Sequence, residues 1–169
     1  MVAQPGMVVV DQPMRQRASI TFSPIHLILP MFEVTGEFAL RPRVSVAGIL
    51  GLGAIKVSGE TFGIFEIGAQ GRFYVLGDFT HGLNLGVELL YLGISNAGSS
   101  SGFLANGAGL SLGPLLGYKL ATRVGFTLDI QGGAAFVVAG ARASGGGTTA
   151  TASQSQIIPV LNLNLGWSF

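Results

Sequence analysis

Eight charged side chains fall within stretches that otherwise alternate apolar and small polar residues: Glu33, Glu37, Glu66, Arg72, Glu88, Lys119, Arg123 and Asp129. Brought into one narrow space, carboxylates and cations of this kind can pair across it, or they can line an ion path or form a gate. A charge taken out of water without a partner costs several kcal/mol, so a paired network is the expected arrangement. Nucleophilic chemistry has less to work with. His26 is followed by Leu27 and Ile28, and His81 by Gly82 and Leu83, so no histidine stands two residues before a serine and no base is placed to activate one. No catalytic, cofactor or metal site is expected.

The segments that would position these charges have a period of two, the signature of strands with two different faces. Eight are expected, at about 18–29, 32–40, 43–56, 63–76, 82–94, 104–119, 123–140 and 156–169. One face is uncharged throughout: Val44, Val46, Leu50 and Leu52 on the third strand, Leu83, Leu85, Val87 and Leu89 on the fifth, Leu161, Leu163, Leu165, Trp167 and Phe169 on the last. The other face carries Glu33, Glu37, Glu66, Gln70, Arg72, Asn84, Glu88, Asp129, Gln131, Asn162 and Asn164 among glycines. His26 falls on the uncharged register, beside a possible bulge at Pro24. Connections alternate between tight polar turns (41–43, 77–81, 119–123) and Gly/Ser/Thr-rich loops (57–62, 95–106, 141–156). Residues 1–17, broken by Pro5 and Pro13, read as a flexible tether; 18–169 form one domain.

Only 10% of the residues are charged, 49% are hydrophobic and mean hydropathy is +0.58, against a usual charged share of about 25%. That points to a membrane. The longest apolar run, Val44 to Ile55, is interrupted by three glycines and falls short of the roughly 20 residues a spanning helix needs. The other spanning structure is a closed barrel, in which every backbone group finds a neighbouring strand. The expectation is therefore an all-β, eight-stranded antiparallel transmembrane β-barrel, apolar outside and polar within. A soluble binder with the faces reversed is the alternative; it would have only a few charges to cover its whole surface. Aromatic residues near strand ends (Phe38, Phe73, Tyr74, Tyr118, Trp167, Phe169) would form an interfacial girdle. The strict alternation LNLNLGWSF at 161–169 is explained if the last strand must close the ring on the first, since an open edge is not tolerated in lipid.

The closing NLGWSF, with Gly166, Trp167 and Phe169, resembles the C-terminal assembly signal of bacterial outer-membrane proteins. Residues 18–169 look like a small barrel of the OmpA and OmpX type, and the runs SPIHLILPMFEVTGEFAL and GAQGRFYVLGDFTHGLNLGVELLYL are similar to short outer-membrane proteins of unknown function. The resemblance implies a Gram-negative outer membrane, recognition by the barrel-assembly machinery, and contact with outer-membrane lipids and lipopolysaccharide. With an even strand number both termini would be periplasmic. MVAQPGMVVV lacks the layout of a signal peptide, so the sequence is expected to be a mature form. The pattern of the enzymatic barrels that cut or move acyl chains is missing.

Eight strands leave an interior that side chains can fill. The expected role is structural or interaction-related, with a plugged lumen; the alternative is a narrow, porin-like channel or a lateral route for a small or apolar ligand. Net charge is +1, giving no nucleic-acid footprint. Outward glycines (Gly36, Gly48, Gly71, Gly132) leave self-association open. Pro30, expected to end the first strand, and Pro159, expected to begin the last, place a weakened rim at the closing seam.

Overall fold

The computed structural model describes residues 16–28, 30–57, 60–96, 104–145 and 148–169. Most of the tether, 1–15, lies outside them, as does the middle of the loop expected at 95–106. The chain forms β1 (Ala18–Phe22), a short helix α1 (Pro24–Ile28), β2 (Met31–Arg41), β3 (Val44–Val57), β4 (Glu60–Gly77), β5 (His81–Asn96), β6 (Leu104–Ala121), β7 (Phe126–Gly145) and β8 (Thr148–Ser168). Each strand pairs antiparallel with the next, and β8 returns to β1, closing the barrel.

The alternation sorts the side chains as the period of two requires. Glu33, Glu37, Glu66, Gln70, Arg72, Asn84, Glu88, Asp129, Gln131, Asn162 and Asn164 are all buried inside. Leu52, Ile67, Val87, Leu112 and Leu161 are exposed outside. At the lower end of the barrel lie the tight turns at 42–43, 78–80 and 122–125 and the C-terminal residue; at the upper end β7 and β8 rise past the other strands.

Three boundaries differ from expectation. The first strand ends at Phe22, because Ser23 and Pro24 open a helix: Pro24 suits a first helical turn, and Ser23 is a good N-cap. His26 therefore lies on α1, turned inward, and not on the outward register. The Gly/Ser/Thr-rich stretch 141–156 is strand over 141–145 and 148–156, since β-hairpin pairing satisfies its backbone whatever the side chains are. Pro159 accordingly lies within β8, not at its start.

The closing seam is short. β1 meets β8 through four residue pairs, from Ser19↔Ser168 to Phe22↔Leu165. Above Leu165, no strand among the described residues lies on the β1 side of β8; α1 lies there, touching both β2 and β8. The Phe169 N–H donates to Ala18 at 2.9 Å and the Ser168 N–H to Gly125 at 2.7 Å, on opposite sides of the strand. The β7–β8 register is unbroken from Trp167 up to Thr148, so the same alternation turns the nitrogen of Pro159 toward the open side. A proline fits there because no ladder bond is lost.

At the lower end, Asp78 holds the β4–β5 turn. Its Oδ1 accepts from the Thr80 N–H at 2.8 Å, the Thr80 hydroxyl at 2.5 Å and the His81 N–H at 3.2 Å. Partial burial works against the charged form, but these bonds outweigh it and hold the carboxyl below its ordinary value of 3.8. A depressed folded value means the turn's contribution is complete above about pH 4 and is lost as pH falls through the folded value. Asp78→Asn should abolish that loss, which chemical unfolding at pH 3 and pH 7 would measure; equal acid sensitivity of the two proteins would contradict it.

Candidate functional site

The lower half of the lumen is a single charged cluster, assembled from strands that face one another across the lumen only once the ring closes. Glu37 on β2 accepts four donors: Ser45 at 2.5 Å and Tyr74 at 2.9 Å on Oε1, Arg72 at 3.0 Å and Lys119 at 2.7 Å on Oε2. Arg72 on β4 reaches across to Asp129 on β7 at 2.7 Å and donates through Nε to Gln70 at 2.7 Å. With its amide oxygen turned to Arg72, Gln131 accepts at 3.2 Å. Lys119 also donates to Ser19 at 3.0 Å. Two acids meet two bases, each wholly or nearly buried, and the dense hydrogen bonding offsets the desolvation such a group suffers.

Two aromatic residues close this cluster from below. Tyr74, expected in the outer girdle, is fully buried inside, because it shares the inward parity of Gln70 and Arg72. Phe79 comes from the β4–β5 turn, which folds under the barrel and is fixed by the Phe79 N–H donating to Pro42 at 2.9 Å. Its ring lies 3.5 Å from Lys119 Nζ, a cation–π contact, and meets Tyr74 edge-on with centroids 6.4 Å apart. The turn's polar neighbours disguise this aromatic plug in the sequence, whereas the inward parity of Tyr74 was readable there.

Above the cluster lies Glu88, accepting from Gln70 at 2.5 Å and from Asn162 at 3.4 Å. Next come Glu33 and Glu66, which stand on either side of Gly51, the residue paired to both. Arg123 does not join this network: it is exposed in the turn at 122–125. Of the C-terminal residues, Gly166 and Trp167 pair with Thr21 and Ile20, and the Phe169 carbonyl accepts from the Arg17 and Ala18 N–H groups at 2.9 and 3.0 Å.

The upper half is different in kind. A cavity of about 400 Å³ opens there, walled by inward side chains such as Leu90, Leu92, Ile94, Val137 and Ile158. Glu66 also borders it, and its Oε1 is buried without a hydrogen-bond partner among the described residues.

Among the described residues one serine–histidine–carboxylate grouping occurs, beside the seam. Ser23 Oγ lies 2.8 Å from His26 Nδ1, and Glu33 Oε2 lies 3.3 Å from that same nitrogen. A nucleophile relay needs the two partners on opposite ring nitrogens, so this geometry ties α1 to β2 and does not activate the serine. Among the described residues no group of acids and histidines could hold a metal ion. Compared with family models, with curated proteins and with solved structures, the chain matches none.

Proposed function

We propose that this chain is an integral outer-membrane β-barrel of the OmpA and OmpX kind. In this reading both termini are periplasmic, the lumen is closed to through-passage, and the role is structural or interaction-related. The observation that carries it is the pairing of an apolar exterior with a bonded interior. Exposed Leu, Ile, Val and Phe side chains encircle the barrel, far beyond the few hundred Å² a soluble monomer tolerates. Among the described residues no charge lies on that outward band. Arg17, Arg41, Arg43 and Arg123 are exposed at the lower end, and Lys56 and Arg142 above the band. On β5 the outward apolar run from Leu83 to Tyr91 matches the roughly 9–11 residues a tilted strand needs to cross a bilayer. The likeness of NLGWSF to an assembly signal supports delivery by the barrel-assembly machinery.

The ion-paired cluster over Tyr74 and Phe79 favours a plug over a channel. Refolded into a planar bilayer, the protein is expected to insert without discrete conductance. Steps of current that change in Glu88→Gln or Asp129→Asn would instead establish the narrow channel.

A further inference from the structure

We propose that the upper half of the barrel is a binding site for one acyl chain of a bilayer lipid, admitted sideways through the seam between β8 and β2. The inference rests on the membrane reading above and adds an occupant and an entrance to it.

The entrance follows from strand pairing. β1 stops at Phe22, and above Leu165 no strand among the described residues pairs with the β1 side of β8. On the other side, β2 begins only at Met31. Between them lies α1, a single turn and a half of helix, held by Ser23, His26 and Glu33 and by no β-ladder. Its outward residues Leu27 and Ile28 are apolar and exposed. The wall is thus interrupted over one sector, and what covers that sector offers hydrocarbon a compatible surface. Pro159, with its nitrogen toward this side, keeps the edge from recruiting a strand.

The occupant follows from the cavity. Its lining comes from β4 to β8; none of the described residues of β1, β2 or β3 contributes, so the side it leaves open is the sector that contains the seam. The walls are aliphatic, which suits a hydrocarbon chain and disfavours a charged headgroup. At about 30 Å³ for a group the size of a water molecule, 400 Å³ holds roughly a dozen methylenes. Above it Asn106, Arg142 and Thr151 are paired with one another and exposed on the outward face of β6 to β8, beside which a headgroup can remain in water. The charged cluster below, capped by Glu33 and Glu66, stops the chain from passing through.

The test uses tryptophan reporters in a Trp167→Phe background, refolded into phosphatidylcholine vesicles with brominated or plain acyl chains. Leu90→Trp faces the cavity, Leu89→Trp faces outward from the adjacent position, and Tyr74→Trp lies inside the plugged half behind the same wall. Bromine is expected to quench Leu89→Trp strongly, Leu90→Trp at least half as much, and Tyr74→Trp hardly at all. Leu92→Trp serves as a second cavity reporter should Leu90→Trp fail to reach native β content by circular dichroism. Cavity reporters as dark to bromine as Tyr74→Trp, beside a quenched Leu89→Trp, would overturn the acyl-chain site and leave the membrane barrel standing. An unquenched Leu89→Trp would overturn the membrane reading itself.

Discussion

Arg72→Met is expected to lower the unfolding free energy of the barrel by about 3–5 kcal/mol, the cost of leaving a buried charge without its partner. The size comes from what the guanidinium holds. Among the described residues it alone forms ion pairs with both Glu37 and Asp129, at 3.0 and 2.7 Å, in a cluster sealed by Tyr74 and Phe79. Lys119 remains on Glu37 at 2.7 Å, so the orphan in the variant is Asp129. Pairing Arg72→Met with Asp129→Leu should therefore recover most of the loss, because an ion pair replaced by apolar groups of similar volume is often close to neutral. Denaturant unfolding of the two single variants and the double variant in detergent gives the comparison. Additive losses would show that the two residues do not share one cluster.

Gly166→Ala should have an effect of similar size for a steric reason. A Cβ on this residue would lie 2.1 Å from the Ile20 carbonyl oxygen and 2.6 Å from the Thr21 Cα. Both are backbone atoms of β1, so no rotamer change relieves the clash. β1 joins β8 through four residue pairs, and Gly166 belongs to one of them. The ring has little else to close it. We expect a loss of more than about 3 kcal/mol, beyond the usual cost of overpacking, and failure of the folded form to resist detergent without heating. Gly48→Ala is the control: nothing lies within 4 Å of its Cβ position, so its effect should stay within about 0.5 kcal/mol. Equal stability of the two variants would contradict the close approach of β1 and β8.

The outward glycines show how far residue type alone carries. Gly36, Gly48 and Gly71 face open space, while Gly166, equally plain in the sequence, is wedged against the backbone of a strand well over a hundred residues away. Pro24 reads only as a bulge in the sequence, because the strong alternation around it favours a continuous strand, although Ser23 as N-cap and Pro24 in the first turn suit a helix start. Phe79 sat in a run of turn residues, and only the turn's path under the barrel takes its ring into the lumen. Arg123, by contrast, matched the charge pattern and ended outside, because the β6–β7 turn begins before it.

What the sequence determined by itself is the number of strands, their order, and the face taken by most strand side chains, because a period of two is a local property that survives into any antiparallel ring. It could also say that the charges share an interior. Which charges touch was decided by the tertiary structure alone. Arg72, Glu37, Asp129 and Lys119 come from four strands, and their meeting depends on the register of every ladder between them. The same holds for the unequal seam, where a five-residue strand faces one of twenty-one residues: alternation marks strands but does not say how much of each finds a partner.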